Sequence, residues 1–126
     1  MRQMFSKKQI EELSKESVSE GIESGEIQVG TKLYRHELTF TSGDTLIYIS
    51  NYNESYDSLS ELIDEWLQGY IINGFIATND YGNGVVLYIA DASTNLAITY
   101  YEHEDGAVIQ TINVPKADYE EVIIPL

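Results

Sequence analysis

The chain has 126 residues, which is enough for one domain with a single hydrophobic core. An apolar content of 43% indicates a folded protein, and 21 acidic against seven basic residues give a formal net charge of −14. A surface this acidic repels nucleic acid and anionic membranes. The absence of cysteine excludes disulfides, thiolate zinc sites and a cysteine nucleophile.

The first residues, MRQMFSKKQIEEL, lack the apolar centre of a signal peptide. No apolar run in the chain approaches the roughly 18 residues that a membrane-spanning helix needs. The sequence therefore predicts neither a signal peptide nor a transmembrane segment.

A first helix is predicted from Lys7 to about Ser24. Ser6 and Gln9 have the spacing of a capping box, and Gly25 offers the left-handed residue that ends a helix. The segment is rich in Glu, Lys and Ser, so its apolar stripe is thin. We expect the stripe to mediate self-association or docking on a partner, through Ile10, Leu13, Val18 and Ile22.

The glycines near Val29 indicate a flexible joint after this helix. The predicted organisation is thus an N-terminal helix and joint over residues 1–30, used for oligomerisation or anchoring, and a folded body over residues 31–126. The alternative is a frayed, solvent-exposed helix with no partner.

The body begins with a predicted β-hairpin. TKLYRHELTF alternates between two faces, one of which carries Tyr34, His36, Leu38 and Phe40. Ser42-Gly43-Asp44 is a turn signal, and Thr45–Ser50 forms the second strand.

A strong helix signal follows at SLSELIDEWLQG, between Ser58 and Gly69. Ser58 and Glu61 form a capping box, and Gly69 is the expected stop. The apolar positions have the spacing of one buried helix face: Leu59, Leu62, Ile63, Trp66 and Leu67. We expect this helix to cover a sheet, with Trp66 at the centre of the contact.

The remaining chain reads as short strands at 70–78, 85–90, 96–102, 107–114 and 119–124, joined by turn residues. Asn73-Gly74 predicts a bulge, Asn83-Gly84 a hairpin turn, and 85–90 a buried strand. Connections this short require antiparallel pairing. The fold class is therefore α+β: an N-terminal helix followed by a meandering antiparallel sheet with one amphipathic helix packed on it.

Motifs of catalytic or metal chemistry find little support. Gly82-x-Gly84 precedes a strand instead of the helix start that a phosphate loop needs. A calcium loop counted from Asn79 has Ala90 where a bidentate Glu is required. No cofactor or metal site is expected.

The two histidines are also poor catalytic candidates. His36 lies in a strand, and His103 lies in a turn beside Glu104 and Asp105, where a solvated histidine is the ordinary outcome. No Ser-His-Asp motif surrounds either one. The hypothesis of an enzyme would require Asp80, His103 and Asp105 to converge in one pocket. We expect no enzymatic activity.

Three tyrosines in loops are the best sequence candidates for a contact surface: Tyr52, Tyr56 and Tyr81. The alternative for each is simple packing. Residues 1–30 carry four basic and six acidic groups, whereas residues 31–126 carry three and fifteen. The nearly balanced helix favours assembly, and the anionic body favours solvent or a basic partner.

The first third of the chain resembles small uncharacterised proteins that bacteriophages encode among their structural genes. The resemblance consists of a short N-terminal helix, a Gly-rich joint and a TKLYxHxxxF-like first strand, matched here by Thr31, Lys32, Leu33, Tyr34, His36 and Phe40. It implies a multimeric virion component such as a fibre or decoration protein, and it carries over no catalytic residues.

The first functional hypothesis is therefore a non-enzymatic phage virion protein, a fibre, tail or capsid-decoration component. It would form a homo-oligomer, with a trimer favoured, or bind other virion proteins through its N-terminal helix. Its location would be the virion, or the host cytoplasm during assembly, with no direct nucleic acid or membrane binding. The alternative is a small acidic inhibitor that mimics nucleic acid and blocks a basic host nuclease, as anti-CRISPR-like proteins do.

Overall fold

The structure is a computed structural model, and it describes residues 5–103, 106 and 108–126. It contains helices α1 (Lys7–Ser24) and α2 (Leu59–Leu67). The strands are β1 (Tyr34–Thr39), β2 (Thr45–Ser50), β3 (Ile71–Ala77), β4 (Asn83–Asp91), β5 (Asn95–Glu102), β6 (Ile109–Pro115) and β7 (Glu120–Pro125). This composition confirms the predicted α+β class.

The seven strands form one antiparallel sheet in the order β6-β5-β4-β3-β2-β1-β7. Sequential strands are neighbours except at the end, where β7 pairs with β1 on the opposite edge from β6. The four residues 116–119 that join these edges span at most about 18 Å. A flat sheet would hold the edges about 29 Å apart. The sheet is therefore strongly curled.

The concave, inner face of the sheet holds the larger part of the core, with α2 packed into it. Trp66 lies directly over Gly74 of β3, so close that a Cβ at Gly74 would stand 2.1 Å from the indole ring. The expected N-terminus is confirmed in part: Ser58 accepts the N–H of Glu61, but the Glu61 carboxylate accepts the N–H of Asp57 instead of that of Ser58. The α2 contact with the sheet is confirmed.

The outer face of the sheet is covered in its middle by α1. Phe5 and Ile10 pack with Ile47 and Ile49 of β2 and Phe75 of β3 in a second apolar cluster. Helix α1 therefore packs against the folded body, and its use in oligomerisation or anchoring stays a prediction. The predicted capping box at the helix start and the left-handed glycine at its end are both confirmed.

The face that α1 buries is made largely of small residues: Ile10, Ser14, Ser17 and Gly21. The hydroxyls of Ser14 and Ser17 donate to the carbonyls of Ile10 and Leu13, so burying them leaves no donor unsatisfied. Asn73 of β3 donates its side-chain N–H to Ser17. An apolar stripe too thin to anchor a helix is thus completed by small residues that permit close approach.

Two local predictions in β4 are wrong. Asn83-Gly84 is not a turn but the start of the strand, because the turn lies earlier, where Thr78 Oγ1 accepts from Tyr81 N–H and donates to the Gly82 carbonyl. The strand is not buried throughout either. A bulge at Leu87 shifts the register between β4 and β5, and Leu87 and its neighbour Tyr88 are exposed.

Candidate functional site

The four residues of the predicted oligomer stripe have different surroundings. Ile10 is buried against the protein's own sheet, and Leu13 and Val18 are partly buried beside the same cluster. Ile22 is exposed at 38%. Since Ile10 already has an intramolecular partner, it is not free to form a seam between copies in this conformation. Self-association through this helix stays a prediction.

The three predicted contact tyrosines also separate. Tyr56 is buried, and Tyr52 is half-buried with its ring stacked 4.6 Å from that of Tyr56. Both therefore serve packing at the end of the sheet where loop 51–57 leads into α2. Tyr81 is 56% exposed, at the opposite end. It alone of the three retains the surface expected of a contact residue.

A buried polar cluster, which sequence reasoning missed, surrounds His36. Its Nδ1 lies 3.0 Å from Glu121 Oε2, and its Nε2 lies 2.7 Å from the Tyr52 carbonyl oxygen. The imidazole stacks on Tyr48 at 4.5 Å. Ser50 Oγ lies 3.4 Å from Nε2, so Ser50, His36 and Glu121 have the order of a catalytic triad. Residues from β1, β2 and β7 converge here, which no local motif indicates.

The proton positions argue against nucleophilic catalysis at this cluster. A carbonyl oxygen only accepts, so the 2.7 Å contact with Tyr52 places a hydrogen on His36 Nε2. That nitrogen cannot then remove the proton of Ser50. His36 and Ser50 are also fully buried, with no solvent-exposed surface. We interpret the cluster as a structural link that ties β7 and loop 51–57 to the sheet.

The surrounding tyrosines are held in their neutral form. Burial raises the pKa of Tyr48, and the nearby Glu121 carboxylate raises it further. Burial, followed by the charge of Glu65, raises the pKa of Tyr56 from 10.0 to about 12. Both effects penalise a tyrosinate anion inside the inner core.

An acidic surface, defined by Glu54, Asp57, Glu61 and Glu65, surrounds the half-buried Tyr52. Burial raises the pKa of Tyr52, and the charges of these four carboxylates raise it further. In the sequence, no Lys or Arg stands between Arg35 and Lys116. The loop and α2 therefore present negative charge without basic residues from this part of the chain.

Metal and general acid–base sites find no support. Within residues 5–103, 106 and 108–126, no group of three His, Asp or Glu side chains is placed to hold a metal ion. His103 packs edge-on against the Phe5 ring at 5.4 Å, and Asp80 lies exposed in the loop after β3. Asp105, which the enzyme hypothesis also needs, lies outside the described residues, and so does Glu104.

An open cleft of about 480 Å³ lies beside edge strand β6. It is lined by Asp44 from the β1–β2 turn, by Tyr81, and by residues 110–113 of edge strand β6. Nearby on the outer face of the sheet, beyond α1, large apolar side chains are exposed: Leu87 at 47%, Tyr88 at 52% and Ile109 at 63%. A surface of this kind is typical of a protein–protein contact.

Among the helices that the structure describes, none is long and apolar enough to cross a membrane. Comparisons with protein-family models, with curated proteins and with solved structures give no match.

Proposed function

We propose that this chain is a non-enzymatic structural protein of a bacteriophage virion, a fibre, tail or capsid-decoration component. The observation that carries the proposal is the apolar outer surface formed by Leu87, Tyr88 and Ile109, which neither helix covers. Such a surface fits a protein that functions in contact with others. The resemblance of the first strand to proteins from phage structural genes supports the same class.

The chemistry of the interior agrees with a non-enzymatic role. Among the described residues, every buried side-chain nitrogen and oxygen has a hydrogen-bond partner. The triad-like cluster at His36 is sealed from solvent and has its proton on the wrong nitrogen for a base. The polar groups thus contribute to folding, and the exposed surface remains for binding.

The test is mass spectrometry of purified particles of the phage that encodes the chain. We expect the chain at tens of copies per particle, with an abundant non-structural phage protein as the control for carry-over. Replacing Tyr88 and Ile109 by Lys should lower incorporation, whereas Val29→Lys, at an 84% exposed position in the joint, should not. A chain that is abundant in infected cells but absent from particles would contradict the proposal.

A second candidate is the acidic inhibitor that mimics nucleic acid. The observation favouring it is the acidic surface, whose carboxylates Glu54, Asp57, Glu61 and Glu65 all act on one tyrosine. Carboxylates grouped in this way suit a basic cleft that normally binds phosphates.

This candidate predicts that a basic nuclease binds the chain and that DNA competes for the binding. Neutralising the acidic surface with Gln and Asn should abolish inhibition. A matched variant that removes as many charges from α1, at Glu11, Glu12, Glu16 and Glu20, should keep it. Equal loss in both variants would indicate net charge alone and would count against a specific mimic.

A further inference from the structure

The hydrogen-bond pattern between β5 and β6 determines which backbone groups of β6 are free. Glu102 N–H donates to the Val108 carbonyl at 2.9 Å, and Lys116 N–H donates to the Thr94 carbonyl at 3.1 Å. Both contacts obey the ladder register that pairs Ile98 with Ile112. Bonded and non-bonded pairs alternate along an antiparallel ladder, so the even-numbered residues of β6 face β5.

The odd-numbered residues of β6 therefore point their backbone away from the sheet. Ile109, Thr111 and Asn113 each present an outward N–H and C=O, and we call this row the β6 edge. Their side chains lie on the outer face of the sheet and are exposed. All three are uncharged, and so is every residue from Val108 to Pro115.

The other edge strand, β7, carries charged residues, which β6 lacks. Leu126 N–H donates to the Leu33 carbonyl at 2.9 Å, which by the same alternation turns Glu121, Ile123 and Pro125 outward. Each edge strand ends with a proline that has no outward N–H, Pro115 in β6 and Pro125 in β7, but only β7 begins with two glutamates. Charged residues are a usual device that prevents edge-to-edge pairing.

We propose that the β6 edge is a homodimer interface, in which two copies pair β6 antiparallel about a two-fold axis at Thr111. In that register Thr111 lies opposite its own copy, and Ile109 lies opposite the partner's Asn113. Each outward N–H of these residues then meets an outward carbonyl of the other copy. The row is self-complementary, as a two-fold interface requires.

Charge favours this position for contact between two anionic copies. The uncharged strand separates the carboxylates of one copy from those of the other. The same register brings Lys116, the only Lys or Arg after Arg35, opposite the partner's Gly106, which stands in the acidic run EHEDG. Lys116 pairs with Asp91 in its own copy, so this part of the rim holds a neutral ion pair and adds no repulsion between the copies.

An open cleft lies beside β6. The cleft has a volume of about 480 Å³ and is lined by residues 110–113 of β6 together with Asp44 and Tyr81. A strand added to this edge would lie about 4.8 Å from β6. The inference goes beyond the virion proposal, since it concerns the purified chain and stands whether or not particles contain the protein.

The test is sedimentation equilibrium of the full chain from about 1 µM to 1 mM. We expect a concentration-dependent mass that rises from 14.2 kDa to twice that value. Added salt should strengthen the dimer, because it screens repulsion between two copies of net charge −14.

Two variants locate the interface. Ile109→Lys adds a charge at an exposed edge position, and Asn113→Pro removes an outward N–H without touching the ladder to β5; both should sediment as monomers. Val122→Lys, an exposed position on β7, is the matched control and should dimerise like the wild type. Circular dichroism of each variant verifies that it is folded.

Three results would overturn the inference. The first is a wild type that remains a monomer at every concentration. The second is normal dimerisation of folded Ile109→Lys and Asn113→Pro. The third is dissociation of the dimer by salt. The last result would indicate an interface held by ion pairs in place of uncharged strands.

Discussion

At the residue scale, Gly74 shows how a single missing side chain positions a helix. A Cβ on Gly74 would lie 2.1 Å from the Trp66 ring. Helix α2 can therefore pack this closely on β3 only because position 74 has no side chain. The sequence pattern Asn73-Gly74 predicts a bulge. The register shift instead falls next to it, near Ile72, and the glycine serves close packing.

We expect Gly74→Ala to lower the free energy of unfolding by about 1–3 kcal/mol, because the methyl group overlaps the indole. In a Trp66→Leu background the same substitution should cost less, since the ring that it meets is gone. Urea unfolding of the four proteins of this cycle measures the coupling. Equal costs in both backgrounds would contradict the contact.

The His36–Glu121 pair makes a second prediction at this scale. Glu121→Ala leaves His36 Nδ1 buried without its partner at 3.0 Å, and we expect a loss of about 1–3 kcal/mol in the free energy of unfolding. Glu121→Gln keeps a hydrogen-bonding group and should lose less. If Ala and Gln prove equally stable in chemical denaturation, the pair is not a structural link.

Tyr56 predicts an alkaline instability. Its pKa is raised from 10.0 to about 12 in the folded protein, so between these values the unfolded chain releases a proton that the folded chain keeps. The contribution to stability is complete below about pH 10 and is lost as the pH rises towards about 12. Tyr48, whose pKa burial also raises, acts in the same direction.

Denaturation midpoints measured from about pH 8 to about pH 12 test this dependence. Tyr56→Phe should show a shallower decline than the wild type. Tyr88→Phe, at a position where the ring is 52% exposed, is the control and should keep the wild-type decline. A Tyr56→Phe curve parallel to the wild type would refute the assignment.

At the element scale, the question is whether α1 projects from the folded body or packs on it. Ile10 packs on the outer face of the sheet, and Ile22 is exposed. We expect Ile10→Ala to lower the free energy of unfolding by about 2–5 kcal/mol and Ile22→Ala by about 0.5 kcal/mol or less. Denaturant titration distinguishes the two.

The opposite result would support the prediction that α1 mediates self-association. If Ile10→Ala left stability unchanged while Ile22→Ala changed the oligomeric mass, the stripe would serve copies of the chain and not its own sheet. The same two variants thus test both interpretations of one helix, through their stability and their oligomeric mass.

The sequence predicts local elements well where one face alternates strictly. The β1–β2 hairpin and α2 follow directly from apolar spacing and capping residues, and the structure has them within three residues of the predicted bounds. It predicts α1 docking poorly, because Ser14, Ser17 and Gly21 count as polar or neutral in an apolar pattern although they pack closely.

At the scale of the whole molecule, the curled sheet determines what each surface can do. α2 fills the inner face, α1 covers the middle of the outer face, and β4 and β6 keep exposed apolar residues beside an open edge. These consequences depend on strand order, which brings β7 to β1 across the sheet. Periodicity contains no information on strand order, so the β6 edge and the His36 cluster were not predictable.

The central claim is that β6 presents the edge through which the protein associates. The most direct measurement is amide hydrogen exchange by NMR at low and high protein concentration. The amides of Ile109, Thr111 and Asn113 should become protected as the concentration rises, while those of Glu121 and Ile123 on β7 should exchange at an unchanged rate. If all five exchange equally fast at every concentration, the β6 edge is free and the claim is wrong.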